Sequence, residues 1–330
     1  MTNAEILAEF PKLRVLVAGD VCLDRWCRYD PWLADPSRET GIPRIAVVST
    51  EVTPGAAGTI ANNLAALGAG KVAVLGMVGN DGFGYELRAA LAARGISHEL
   101  LVDAPGMPTF TYTKLINAQT DEEDLPRVDF VYTNPLPETL ERALIDRLEY
   151  AAPAYDLILV SDQAETSQGG VVTPAMRAAI GRLALARPDK PIWVDSRLRA
   201  EHFRHVVVKP NQQEAEAASI RALGRVDFPE LRRHMQAPCL VVTHGGKGAL
   251  VVDEAGEQWV PAKDVAHPVD ICGAGDSFSA GAAMALVVTG DPREATRFGN
   301  LVAGITIMKK GTGTASPDEV RAVVETHHAK

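Results

Sequence analysis

Cysteine is scarce in these 330 residues, and its four copies, Cys22, Cys27, Cys239 and Cys272, are scattered. No second pair lies near Cys22 and Cys27, and no histidine spacing completes a zinc site. Neither a disulfide framework nor structural zinc is expected, and a reduced, cytoplasmic setting is. Long apolar runs are missing too. The longest, Phe278 to Val288, is too short to span a bilayer and carries Ser and Gly. The N-terminus lacks a basic segment followed by an apolar run, which predicts no signal peptide. Positive charge is in deficit: the formal net charge is −9, which argues against nucleic acid or an anionic membrane as the main partner. Two nucleotide motifs also fail. Gly246-Lys247-Gly248 is not followed by Ser or Thr as a Walker A loop requires, and the glycines of 76–84 lack the dinucleotide-binding spacing. Internal repeats, low-complexity segments and long linkers are absent, so residues 1–330 are expected to form a single domain.

What is present is an alternation of short apolar runs with amphipathic helices. Strands are predicted at Leu13–Ala18, Val72–Leu75, Leu157–Val160, Ile192–Asp195, Val206–Val208, Leu240–Thr243 and Ala249–Val252. Helices are predicted at Thr59–Leu67, Phe83–Ala93, Pro137–Leu148, Pro174–Ala186, Phe228–Met235, Asp276–Val288, Arg293–Met308 and Pro317–His327. Unbroken apolar strands suit a parallel sheet covered on both faces, a three-layer α/β/α domain. Two regions break the rhythm. Ile42–Glu51 and Phe110–Tyr132 read as antiparallel strands with no core of their own, and insertions near 36–53 and 106–133 are expected to form a small β-sheet lid. The run Asp121-Glu-Glu-Asp124 reads as a solvated hairpin tip.

Chemistry is concentrated at Asp270-Ile-Cys-Gly-Ala-Gly-Asp276. A Gly-Ala-Gly turn lets successive N–H groups of Gly273, Ala274 and Gly275 point one way, and the following helix adds the positive end of its dipole. Asp276, in the first helical turn, is placed to take a proton from a hydroxyl. Anion hole plus base is what phosphoryl transfer to an alcohol requires. Further polar residues fall at strand carboxyl ends, where open α/β sheets bind ligands: Asp20 with Asp24 one turn later, Asp162, Asp195, Lys209-Pro-Asn211, and Thr243 opening a glycine loop.

With these residues in hand, the chain resembles the ribokinase family of small-molecule kinases. The resemblance rests on Pro54–Gly68, Asn211-Gln-Gln-Glu214, Thr243-x-Gly245-x-x-Gly248 and Asp270–Gly281, in that order. Within the family, Gly19–Trp26, Ala65–Ala69, Arg127-Val-Asp129 and Lys310–Pro317 most resemble heptose 7-phosphate kinases. The resemblance implies a ribokinase-like fold, ATP and Mg²⁺, and a small-molecule sugar or sugar phosphate. Asp276 would be the base, and Asn211 and Glu214 would orient Mg²⁺ through its waters. Thr243, Gly245 and Gly248 would line the nucleotide phosphates and ribose, with Asn300, Ala303 and Gly304 at the adenine. Asp20, Gly55 and Asn63 match sugar-side positions. Asp270 and nearby carbonyls, Gly311 among them, would hold a monovalent cation such as K⁺. Pairing through the lid would give a homodimer. Because the chain ends at Lys330, no room is expected for the nucleotidyltransferase domain of bifunctional heptose enzymes.

The departures lie on the sugar side. Gly55-Ala-Ala-Gly-Thr59 stands where heptose-type members read Gly-Gly-x-x-Asn, so Thr59 replaces an amide and Ala56 a glycine. The segment from Asp162 to Gly169 lacks the Tyr and Lys of those relatives, and Asp195-Ser-Arg197 replaces Asp-Pro-Lys. Arg25, Arg38, Lys114, Arg127 and Arg197 are the cations left near the sugar end. The expectation is an ATP-dependent kinase with a heptose 7-phosphate-like acceptor. The alternatives are a sibling kinase acting on a neutral sugar, sugar acid or nucleoside, and a sensor without turnover.

Overall fold

The computed structural model describes residues 1–164 and 169–325. Glu165–Gln168, part of the segment that departs from the heptose kinases, and the end of the helix predicted to His327 lie outside the described residues. The central sheet has eight strands, in the order Gly256–Pro261, Gly248–Asp253, Leu240–Thr243, Val207–Val208, Ile192–Ser196, Leu157–Asp162, Arg14–Gly19 and Lys71–Leu75. Pairing is parallel from Lys71–Leu75 across to Leu240–Thr243 and antiparallel for the last two strands. This is the ribokinase-like α/β/α layering expected.

Alternate residues of each parallel strand serve two cores. Val15, Val17, Leu157, Leu159 and Trp193 face one helix layer, while Leu16, Ala18, Ile158, Val160 and Val194 face the other. That double coverage is why these strands read as unbroken apolar runs. The last strand, Gly256–Pro261, is exposed over most of its length and carried no such run. The helix Gln212–Leu223 also escaped the apolar pattern; its start is fixed by a capping box between Asn211 and Glu214.

A second sheet of four strands, ordered Val47–Ala56, Val21–Tyr29, Thr111–Asn117 and Val128–Phe130, stands at the carboxyl end of the parallel strands. Its inner strand, Val21–Tyr29, had no apolar signature, because one face carries Asp24 and other polar residues. Its outer pairs are antiparallel, as expected for the two irregular regions, while the central pair, which includes the unforeseen strand Val21–Tyr29, is parallel (Asp24 opposite Tyr112, Trp26 opposite Lys114). The chain crosses through Lys71–Leu75 and the helix Gly82–Ala92 before returning, so the two strands run the same way. The acidic tip is exposed but not merely solvated: Asp121 takes hydrogen bonds from Arg28 (2.6 Å) and Lys310 (2.5 Å), tying the small sheet to the main domain. Among the described residues no helix is long and apolar enough to cross a membrane.

Candidate active site

The Gly-Ala-Gly turn sits between two cavities. Gly273 adopts φ 75°, the left-handed conformation open to glycine, and caps the helix Ala274–Thr289. Asp270 braces the turn from below: its carboxylate accepts the Cys272 N–H (2.9 Å) and the Gly311 N–H (3.0 Å). The meeting of Asp270 with Gly311 therefore runs through an amide, not through the carbonyl expected to face a cation. Behind the turn the helix is locked by Ser277 Oγ against Thr306 Oγ1 (2.7 Å). The Ala274 N–H is spent inside the turn on Ile271 O (3.2 Å), which removes it from the three amides expected to face an anion.

Asp276 is half-buried, and burial together with the negative charge of Asp195 pushes its carboxyl up to about 7, with Lys209 and Arg197 opposing. Lys209 is a residue whose importance the motifs did not signal. It is 4% exposed and pairs with Asp195 at 2.6 Å, and Ser279 Oγ also donates to Asp195 (3.1 Å). A β-carbon on Gly275 would stand 3.3 Å from the Lys209 ammonium. The missing side chain is thus what brings a buried cation up to the turn.

On one side of the turn, a cavity of about 360 Å³ is lined by Ala274 and Gly275 together with Thr243, Gly245, Gly248, Asn300, Ala303 and Gly304. All of the residues expected to border nucleotide phosphates, ribose and adenine converge here. Gly248 is dictated by space, since a β-carbon would lie 2.3 Å from Val260 O. Asn300 is pinned by Nδ2 donation to Val260 O (3.2 Å). Asn211 and Glu214 bond each other's backbone N–H, at 3.0 and 2.7 Å, as a helix cap. Burial, with the negative charge of Asp195, raises the Glu214 carboxyl, while the Asn211 N–H, Lys209 and Arg197 oppose the shift.

On the other side, a cavity of about 180 Å³ is lined by Asp276 and Gly273 with Asp24, Arg25, Ala56, Thr59, Lys114, Arg127 and Arg197. Asp24, Trp26, Tyr112 and Lys114 are cross-strand neighbours of the small sheet, and their shared face supplies one wall. The cations are held in place: Lys114 by Glu123 (3.3 Å), Arg127 by Asp129 (2.7 Å) and the Tyr112 ring, and Arg25 by Glu86 (3.5 Å) and the Phe83 ring. Arg38 is not among the lining residues.

Several expected sugar-side residues are turned elsewhere. Asp20 is 3% exposed, and its oxygens accept the N–H groups of Gln163 (2.8 Å), Ala164 (2.9 Å) and Val171 (2.8 Å). It anchors a loop, although burial holds its carboxyl at about 6. Asp24, four residues on, lines the cavity instead; burial raises its carboxyl to about 6 as well. Asp162 is consumed by Ser196 Oγ (2.7 Å) and the Arg199 guanidinium. Asn63 is fully buried and donates to Thr59 O (3.0 Å). Gly55 serves packing, for a β-carbon would lie 2.5 Å from both Asp24 Oδ1 and Cys22 Sγ. Ala56 holds φ 52°, ψ −116°, a glycine conformation that costs another residue about 1–3 kcal/mol.

Solved structures share this fold. Ribokinase from Thermotoga maritima superposes with TM-score 0.70 at 20% identity, covering 95% of this chain and 99% of the other. Phosphofructokinase-2 from Escherichia coli gives 0.69 at 19%, with 95% and 99% covered. The class is that of the ribokinase-like, ATP-dependent carbohydrate kinases. The chain belongs to the pfkB family of carbohydrate kinases, whose model matches residues 20–319. Among curated relatives, the bifunctional protein HldE of Trichlorobacter lovleyi is 30% identical over 331 residues, covering 96% of this chain and 64% of its own length. That of Rhodopseudomonas palustris is 32% identical over 331 residues, covering 97% and 65%. The chain thus spans just under two thirds of the length of these relatives.

Proposed function

We propose that this kinase transfers the γ-phosphoryl group of ATP to a hydroxyl of a sugar that already carries a phosphate, of the size and kind of a heptose 7-phosphate. The observation that carries the reading is the convergence of Arg25, Lys114, Arg127 and Arg197 on the cavity that holds Asp276. In a chain of net charge −9, four cations in one small cavity support the reading of an anionic acceptor, although Arg25, Lys114 and Arg127 are also paired with Glu86, Glu123 and Asp129.

The chemistry follows from the turn between the cavities. Asp276 takes the acceptor's proton, the freed oxygen bonds to the γ-phosphorus, and the bond to ADP breaks. The Gly273 and Gly275 amides, the helix dipole and the Lys209 ammonium face the charge that builds on the transferring group. Among the described residues no cluster of three or more His, Cys, Asp or Glu could cage a metal. Mg²⁺ would be carried by the nucleotide phosphates, neutralising their charge, with Glu214 reached through water. The small sheet acts as a lid that keeps water from the phosphoryl group.

The deciding experiment compares kcat/KM for matched free and phosphorylated sugars. The phosphorylated member is expected to win by about tenfold or more. A neutral sugar that turns over while every phosphosugar is inert would leave only the family-level activity standing.

A further inference from the structure

A further cavity lies away from the cleft, between the helix Pro174–Ala186 and the loop that carries His202, Arg204 and His205. It measures about 520 Å³, and none of its lining residues borders either cavity of the candidate active site. Arg177, Arg182, His202, Arg204 and His205 line it, and no acid does.

The charges around this cavity do not balance. The carboxylates that bear on its cations are Glu149, Asp162 and Glu201. Each already has an arginine of its own. Glu149 pairs with Arg182 (2.9 Å), Asp162 with Arg199, and Glu201 with Arg221 (2.6 Å). Arg177 and Arg204 are left over. Both are half-buried, and among the described residues neither forms an ion pair. Carbonyls take some of their N–H groups: Arg177 donates to Val172 O (2.7 Å), and Arg204 to Glu201 O (2.7 Å) and Phe203 O (2.9 Å). The Arg204 guanidinium also lies 3.3 Å from His234 Nε2. These contacts satisfy donors and leave two positive charges unmatched. Burial pulls Arg177 below its ordinary pKa, with Asp162 and Glu201 opposing and Arg199 adding to the fall. His202 is lowered too, by burial and by Arg177, Arg204 and Arg221, against Glu201.

Drawing a cation partly out of water without a counter-charge is costly, and an anion entering the cavity would remove that cost. Two guanidinium groups lining one cavity suit a phosphate, whose oxygens accept paired N–H donors and carry up to two charges. The net charge of −9 repels an anionic surface or a nucleic acid, which leaves a small soluble molecule. We infer that this cavity is a second anion site, distinct from the kinase cleft, which takes the phosphate group of a small soluble molecule on Arg177 and Arg204.

The test is calorimetric titration of the whole chain with inorganic pyrophosphate, in the presence of saturating ADP so that the nucleotide cavity is filled. Wild type should bind, and R177Q/R204Q should bind about 100-fold more weakly. K114A, which alters the acceptor cavity instead, should bind like wild type. A178E puts a carboxylate into the cavity from an exposed lining position and keeps both arginines. It should raise Tm in the absence of pyrophosphate and weaken pyrophosphate binding by about tenfold or more, and it decides the matter if R177Q/R204Q folds poorly. The inference is overturned by the absence of binding up to about 10 mM pyrophosphate. Binding that K114A abolishes, or that A178E leaves untouched, overturns it as well.

Discussion

The two halves of the cleft are built by different means. The half proposed for the nucleotide stands on the main sheet and is shaped by backbone: Gly245, Gly248 and Gly275 are fixed by turn geometry or by the room a neighbour needs, and Ala303 and Gly304 add only small surfaces. The half proposed for the acceptor stands on the small sheet and is shaped by side chains: Asp24, Lys114 and Arg127 come from separate segments, with Lys114 braced by Glu123 and Arg127 by Asp129. Backbone recognition tolerates little change, because a β-carbon 2.3 Å from a carbonyl has nowhere to go. Side-chain recognition can be rewritten one residue at a time. Ala56 and Thr59 are the departures noted in the sequence, whereas Thr243, Gly245, Gly248, Asn300, Ala303 and Gly304 all line the other cavity.

The sharpest way to break this comparison is at the residue between the halves. D276N should leave nucleotide binding intact and lower turnover by about 10²–10⁴-fold, checked by kcat beside nucleotide titration. Wild-type kcat/KM should rise with pH through about 7, where the Asp276 carboxyl loses its proton. Stability runs the other way. The folded carboxyl titrates near 7 and the unfolded one near 3.8. Between these values the folded chain holds the extra proton, so stability falls as pH rises across that window. D276N, which cannot ionise, should therefore melt higher than wild type at pH 8. Near wild-type turnover in the variant would remove Asp276 as the base.

This division also explains what could be read from the sequence. The parallel strands were visible because helices cover both faces, and the Asp276 turn because glycine spacing is a backbone requirement. The strand Val21–Tyr29 was not, since its cleft face is polar and one of its two partners lies some ninety residues away in the chain. Asp20 and Asp24 illustrate the limit. Both follow the first strand, but only their neighbours decide which one is consumed: three amides converge on Asp20, while Asp24 opens into the cavity. Lys209 was in plain view beside Asn211, yet only the absent Gly275 side chain shows what it approaches.

A smaller effect separates the halves. Lys114 lines the acceptor cavity and not the nucleotide one. K114A should cost one charge-assisted hydrogen bond, about 1.5–3 kcal/mol, and so lower kcat/KM for a phosphorylated acceptor by roughly 10- to 100-fold. The KM for ATP should not move. An equal change in both parameters would mean that the two halves are coupled through the lid.

The mildest expected change lies at the nucleotide side, where two roles compete for one carboxylate. Glu214 caps its helix by accepting the Asn211 N–H at 2.7 Å, and glutamine performs that task equally well. E214Q should therefore fold normally, with an unchanged Tm. What it loses is the negative charge near Lys209, and with it, on the proposed reading, the attraction for water around Mg²⁺. The Mg²⁺ concentration for half-maximal rate should rise by about tenfold, while the KM for the acceptor stays put. A Mg²⁺ titration that overlays the wild type would assign Glu214 to helix capping alone.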